Sequence, residues 1–386
     1  MVVEAHASSL THIAGRLNII VKYDGQKILA VLINSTRPKL LTRLLEGKRP
    51  EEAFNLIPLI FSLCGTAQTV AGAMAIESLR GVKVCKEVEI ARSVLIYLET
   101  AKELCLRLSK DWLENAPLID VYDVMTCYRS ALSQLGFSLD LQTDTSNAQA
   151  EFNYAELLYS LEKLLLPLTS FCEKSTSVER GITPFSQLVD NLNAQFEGVE
   201  LGPSAPALNL TAEYLEQKFE SDDVAAVFCS RPTIETNGGS MCAETGVWAR
   251  HADNKLILQA EAEGSHQLTL RFLALVYELA SIPAKIREII NSETGRLGVT
   301  ASEGLATVNT ARGLLVHKVT LENVNGDERI NKYHIIAPTE WNFHPEGSLI
   351  SILQGVVVSR ENLMPLLDKL ILAIDPCVAY DIKIEE

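Results

Sequence analysis

The sequence has eight cysteines but no C-x-x-C pair. They stand alone at positions 64, 85, 105, 127, 172, 229, 242 and 377. This spacing excludes a zinc ribbon and a thioredoxin-like redox motif. No histidine stands at zinc spacing from Cys229 and Cys242. No G-x-x-x-x-G-K-[ST] occurs, and Gly238-Gly239 is too short a signal for a phosphate loop. No Ser-His-Asp or Cys-His pattern emerges, and there is no internal repeat or low-complexity tract. Basic excess is also missing. Lys and Arg total 34 against 49 Asp and Glu, for a formal net charge of −15. That argues against nucleic acid or an anionic membrane surface as the main partner, and fits an acidic protein that meets other proteins. The start, "MVVEAHASSLTH", lacks the basic and apolar regions of a secretory signal. Reduced cysteines in a cytoplasm are therefore expected rather than disulfides.

What is present reads as a globular chain. Hydrophobic residues make up 47% and charged residues 22% of 386 positions, enough to bury a large core without cross-links. A charge-free run, Ala53 to Ile76, has the length of a membrane span. It holds Asn55, Pro58, Ser62, Gly65, Thr66, Gln68, Thr69 and Gly72, so a buried segment interrupted at Cys64-Gly65 is expected, with no membrane span.

The pattern of elements predicts a helix-rich α+β protein. Two β-rich runs, "GRLNIIVKY" and "QKILAVLIN", flank Asp24-Gly25 and predict a hairpin. "PKLLTRLLEGKRP" predicts a short helix, and Pro50-Glu51-Glu52 opens another. Helical periodicity runs from about 68 to 108 and through 154–168, 184–196 and 265–290, where Pro283 is expected to kink the chain. Residues 141–151 and 196–209 read as connectors, and 220–260 as irregular. Strands return on either side of a turn at 325–327. A last helix follows, capped by Ser359 with Asn362 at N3.

Taken alone, Cys64 and Cys377 would be read as small buried apolar residues. Their surroundings alter that. Cys64 ends an apolar stretch at a glycine, and Cys377 follows Pro376, which cannot continue the preceding helix. In order along the chain, "LLTRLLEGKRPEEAFNLIPLIFSLCGTAQ", "SRPTIETNGGSMCAETGVWAR", "TARGLLVHKV", "YHIIAPTEWNFHPEG" and "DPCVAY" resemble five motifs of the nickel-iron hydrogenase large subunit. The resemblance covers most of the chain. It implies a single large-subunit-like domain over 1–386, with a central helical bundle and small β elements near both ends.

The departures from that family matter equally. The family holds nickel and iron with four cysteines, the second of each pair bridging the metals. Those bridging positions are Ala67 and Tyr380 here. The histidine after the first pair falls at Ala71. The glutamate implied in proton transfer falls at Thr42. The C-terminal histidine that marks precursor cleavage falls at Lys383, so no cleavable tail is expected. Bridging thiolates are soft anionic ligands suited to these metals. Alanine cannot ligate, and neutral tyrosine is a poor substitute. Hydrogen turnover and nickel binding are therefore not expected. Two thiolates, Cys64 and Cys377, facing one another, would suffice for one iron already carrying cyanide and carbon monoxide.

The resemblance implies further roles. Arg312 and Thr339 match the cyanide hydrogen-bond donors, and Pro338 would wall the carbonyl side; Ala311 replaces a family proline. The plainer readings are an ordinary surface ion pair for Arg312 and a turn hydroxyl for Thr339. His317 is read as a satisfied strand histidine. His334, His344, Trp341 and Asn342 are read as packing and turn residues, and Glu244 as a structural partner more than a base. This combination resembles the HupK/HoxV type of hydrogenase accessory protein, which implies a scaffold carrying an Fe(CN)2CO unit. Its partners would be a HypC/HypD-type chaperone and iron carrier, and the immature large subunit. A divergent enzyme with a mononuclear iron, and a metal-free interaction protein that kept the fold, remain the alternatives.

Overall fold

The structure is a computed structural model that describes residues 2–4, 15–37, 41–113, 120–143, 152–174, 181, 183–296 and 300–386. In chain order its strands are β1 (Val2–Glu4), β2 (Arg16–Tyr23), β3 (Ile28–Ser35), β4 (Ile234–Thr236), β5 (Gly239–Met241), β6 (Thr300–Ser302), β7 (Leu305–Thr310), β8 (Gly313–Val324), β9 (Asp327–Ile336) and β10 (Ala379–Glu385). Its longer helices are α1 (Pro50–Ile60), α2 (Gly65–Leu79), α3 (Lys86–Arg107), α4 (Val121–Leu135), α5 (Tyr154–Glu173), α6 (Gln267–Asn291) and α7 (Arg360–Ile374). The chain divides into two compact units. The terminal unit combines Met1–Lys39, Phe185–Ala274 and Ile336–Glu386; the central unit combines Leu40–Pro184 and Leu275–Ile335.

The terminal unit is built on a sheet of order β1-β10-β2-β3. The expected hairpin forms β2 and β3. Alternation buries Leu17, Ile19, Val21 and Tyr23 on one face. The turn closes because Asp24 Oδ1 accepts the N–H groups of Gln26 and Lys27 at 2.9 and 2.7 Å, and Gly25 takes φ +99°, open to glycine at no steric cost. β10, which periodicity did not announce, runs parallel to β2 and places Tyr380 beside Leu17. α7 starts where Ser359 accepts the N–H of Asn362. It stops at Asp375, which adopts a left-handed φ of 60°, and Pro376 and Cys377 follow directly.

The central unit explains the charge-free run. α1 and α2 lie back to back, and nearly every residue of α2 is buried. One side of α2 packs on β7 and β8, another on α3, so there is no solvent face to carry charge. No helix among the described residues is long and apolar enough to cross a membrane. A buried ion pair fixes α3 to α2: Arg92 donates to both oxygens of Glu77 at 2.7 Å, and its Nε donates to the Ser138 carbonyl. The second sheet, β6-β7-β8-β9, completes this unit.

Three local expectations are corrected. "PKLLTRLLEGKRP" forms only a 3-10 turn at Leu41–Leu44 within the described residues, too short to bury its leucines on a helical face. The segment read as irregular holds the helices Asp222–Ser230, Val247–His251 and Lys255–Ala262 and the β4-β5 hairpin; elements this short carry little periodicity. β6 and β7 were also unannounced. The connector over 196–209 has no regular element beyond one bridge, Ala207 to Glu244. Most of the one over 141–151 lies outside the described residues.

Candidate functional site

The residues singled out in the sequence divide between the units. Cys64 and Arg312 lie in the central unit; Pro338, Thr339 and Cys377 lie in the terminal unit.

In the central unit, α1 ends at Ile60, two residues after its interior Pro58, and a 3-10 turn over Ser62–Cys64 leads into α2. Cys64 thus sits at the N-cap of α2, half-buried, where the backbone opens. Glu99 from α3 reaches this end of α2. Its carboxylate accepts the N–H groups of Thr66 and Ala67 at 2.9 and 3.0 Å, filling donors that a helix start leaves unpaired. Burial pushes the Glu99 carboxyl upward, and those two N–H bonds pull the other way. One turn beyond Cys64, Gln68 donates its side-chain N–H to the Cys64 sulfur at 3.6 Å. Its oxygen meets His317 Nε2 at 2.8 Å, and His317 Nδ1 meets the Tyr333 hydroxyl at 2.9 Å. His317 is fully buried, and desolvation lowers its pKa to about 3, so the imidazole is neutral. The histidine is a satisfied strand histidine, as expected. Gln68 and Tyr333 carried no sequence signal beyond the i, i+4 spacing of Gln68 from Cys64.

Arg312 is buried and donates to Glu103 Oε2 at 3.2 Å. Lys102 holds the other oxygen of Glu103 at 3.0 Å and lies over the Tyr128 ring. Tyr128 in turn bonds the Thr66 hydroxyl at 2.8 Å. The guanidinium thus belongs to a buried network rather than to a surface ion pair.

In the terminal unit, Pro338 is the first residue of the short helix Pro338–Asn342, a position that suits its fixed φ. Thr339 follows, and its hydroxyl donates to the Cys377 sulfur at 3.0 Å. The same oxygen accepts the Cys377 backbone N–H at 3.2 Å. Asn342 accepts the Thr245 N–H at 2.8 Å, and Trp341 packs edge-on to Phe228; both are structural. Glu244 is clamped by both terminal nitrogens of Arg271 at 2.7 and 2.8 Å and by Ser348 Oγ at 2.6 Å. His334 lies in β9.

The sequence shows no Cys-His pattern, and only the fold joins one: Cys242 Sγ lies 3.0 Å from His344 Nδ1. The two are far apart in sequence. Burial raises the thiol and lowers the imidazole, which favours a neutral thiol–imidazole pair over a reactive thiolate.

The positions where the large subunits carry bridging thiols have other employment. The Ala67 N–H is taken by Glu99, and the Tyr380 hydroxyl donates to Asp368 on α7 at 2.7 Å.

Comparison with known protein families gives no match to a family profile. Among solved structures, the chain is similar to the [NiFeSe]-hydrogenase of Desulfomicrobium baculatum, with a TM-score of 0.56, 14% identity, and coverage of 92% of this chain and 94% of that one. The Ni-Fe-Se hydrogenase of Desulfovibrio vulgaris Hildenborough gives a TM-score of 0.54 at 15% identity, with coverage of 92% and 94%. These likenesses establish the large-subunit-like α+β fold. In sequence, the chain is 32% identical over 376 residues to the hydrogenase expression/formation protein HupV of Azotobacter chroococcum mcd 1, covering 96% of this chain and 99% of that protein. It is 30% identical over 375 residues to HupK of Azotobacter vinelandii, with the same coverage. It is 26% identical over 379 residues to HoxV of Cupriavidus necator, covering 92% and 93%. Similarity of this extent along the full length shows that the chain belongs to the HupV/HupK/HoxV family of hydrogenase expression/formation proteins.

Proposed function

We propose that this chain serves nickel-iron hydrogenase maturation as a scaffold. It receives an Fe(CN)2CO unit on the thiolates of Cys64 and Cys377 and passes it on without turning over hydrogen. The observation that carries this reading is the loss of both bridging thiols in a chain that keeps the large-subunit fold, with Ala67 and Tyr380 in their places and both engaged in local hydrogen bonds. Two soft sulfurs are a sufficient protein contribution for an iron that brings strong-field ligands of its own. They are too few for a nickel-iron pair.

The chemistry of the donor set supports the reading. Each sulfur already accepts a hydrogen bond from a neighbouring side chain, Gln68 for Cys64 and Thr339 for Cys377. Such donors favour an anionic, metal-binding sulfur. Arg312 keeps its charge under all physiological conditions and suits an anionic cyanide. Thr339 would keep its hydroxyl on the Cys377 sulfur or offer it to a cyanide, one or the other, and Pro338 would wall the carbonyl side. The partners of such a scaffold would be a HypC/HypD-type chaperone and iron carrier and the immature large subunit, all in the cytoplasm.

The test is infrared spectroscopy with metal analysis on protein purified without oxygen from its native host. Cyanide and carbonyl bands with iron present, nickel missing, and loss of both in Cys64→Ala and Cys377→Ala are the expected result. Hydrogen uptake or evolution that disappears in Cys64→Ser would replace this reading with a mononuclear-iron enzyme. Intact hydrogenase maturation in cells carrying both alanine variants would replace it with a metal-free interaction protein.

A further inference from the structure

Cys64, Gln68 and Gly72 stand at i, i+4 and i+8 of α2 and therefore share one face of the helix. The three positions hold a sulfur, an amide and a gap. The gap is specific: a Cβ at Gly72 would lie 2.7 Å from the Tyr333 hydroxyl, 2.7 Å from Ile57 Cδ1 and 3.8 Å from His317 Nδ1. Only glycine lets the Tyr333 hydroxyl come this close to the helix. The hydroxyl is thereby held at the far end of a chain that runs through His317 and Gln68 to Cys64.

The direction of this chain follows from its chemistry. His317 is neutral and carries one ring proton. The Gln68 amide presents its N–H to sulfur, so its oxygen is the atom facing His317 Nε2. An oxygen there requires the proton on Nε2. His317 Nδ1 is then bare and must accept, and the Tyr333 O–H is the donor beside it. Burial raises the Tyr333 phenol well above its ordinary range, so that proton stays on. All three hydrogen bonds point the same way, toward the Cys64 sulfur, and aligned bonds of this kind polarise and strengthen one another.

We propose that Gln68, His317 and Tyr333 are positioning residues for Cys64: a one-way relay of donors, seated by the gap at Gly72, that presents an amide N–H to the sulfur and favours its metal-bound form over a neutral thiol. The proposal rests on the iron-carrying role proposed above, and it identifies residues that tune how tightly this sulfur holds its cargo.

Two measurements separate the relay from the iron reading. The first is 15N NMR of histidine-labelled full-length protein. It is expected to show His317 as the Nε2–H tautomer and to lose that preference in Gln68→Met. The second is infrared spectroscopy and iron content of protein purified without oxygen from the native host. Gln68→Met is expected to retain about tenfold less iron and to move the carbonyl band to lower frequency, because a sulfur without its donor pushes more charge onto the metal. Tyr333→Phe removes a single oxygen, keeps the ring that fills the core, and is expected to act in the same direction more weakly. An Nδ1–H or doubly protonated His317 overturns the relay whatever the iron result. An Nε2–H tautomer with unchanged bands and iron retention in both variants overturns the positioning role. An Nε2–H tautomer in a protein that never carries iron removes both the cargo reading and the positioning role that rests on it, and leaves the hydrogen-bond chain standing.

Discussion

Thr339 and Cys377 hold each other twice. The threonine hydroxyl donates to the cysteine sulfur at 3.0 Å and accepts the cysteine backbone N–H at 3.2 Å. Both residues are buried, so one hydroxyl serves as donor and acceptor where no water replaces it. Thr339→Val keeps the shape and leaves the Cys377 N–H without its partner. The expected loss is about 2 kcal/mol of stability, read as a lower urea midpoint, with most of it recovered in Thr339→Ser.

Glu77 and Arg92 form a two-bond pair with almost no exposure, 3% and 1% for the side chains. Cutting the charge on one side strands the other in a dry interior. Glu77→Gln is expected to cost about 3 kcal/mol. The exposed pair Arg49–Asp327 provides the contrast: Asp327→Asn should change the urea midpoint by well under 1 kcal/mol equivalent.

Gly72→Ala sets two effects against each other. Alanine improves helix propensity by about 1 kcal/mol, while its methyl collides with Tyr333 and Ile57 at 2.7 Å, an overpacking cost of about 1–3 kcal/mol. Because the methyl meets a buried phenol that His317 holds in place by a hydrogen bond, the collision wins. A fall in melting temperature is expected, where an exposed glycine-to-alanine change in a helix would raise it.

The pH dependence of stability should carry the signature of His317. Burial depresses its folded pKa to about 3 from the ordinary 6.5. The unfolded chain therefore binds the proton first as pH falls. The stability is fully present above about 6.5 and is lost between 6.5 and 3, with a slope of about 1.4 kcal/mol per pH unit for that proton. His266 and His344 are lowered in the same direction by burial. Glu99 is raised and opposes them: its contribution is present below 4.5 and fades as pH rises through its folded value. Denaturant midpoints measured from pH 7 to pH 4 should flatten by one proton in His317→Gln, which keeps a donor and an acceptor but does not titrate.

Cys242 should be a slow thiol in spite of its imidazole neighbour. Burial raises it and the nearby Glu346 raises it further. Alkylation at neutral pH, followed by mass spectrometry of the Cys242 peptide, is expected to be slower than for a model thiol, and His344→Gln should change that rate little. A fast, His344-dependent reaction would mean the pair is a thiolate–imidazolium.

The hairpin of β2 and β3 was legible because alternation and an Asp-Gly turn are local signals. The burial of α2 was legible because a charge-free stretch broken by Pro58 and Gly65 has few other uses, whereas α1 keeps an exposed face with Leu59 on it. The family was legible because five motifs kept their order, and the departures at Ala67 and Tyr380 could be read position by position. Three things were not legible, and each depends on contacts distant in sequence. β10 joins β2 across almost the whole chain. Arg312 meets Glu103, a residue no motif marks. The chain from Cys64 to Tyr333 exists only once α2 lies on β8 and β9. Short helices between 222 and 262 escaped because a helix of fewer than three turns shows little periodicity.

β10 is flanked by partners on both sides, antiparallel β1 and parallel β2, and Cys377 stands just ahead of it. The sulfur is therefore moored to an interior strand rather than to a loose end. This also orders events in time: a pairing of residues 379–385 with 16–22 closes one of the largest loops the chain can make, and such closures come late in folding. A nascent or partly folded molecule would therefore not yet hold Cys377 against Thr339, and that contact reports completed folding of the terminal unit.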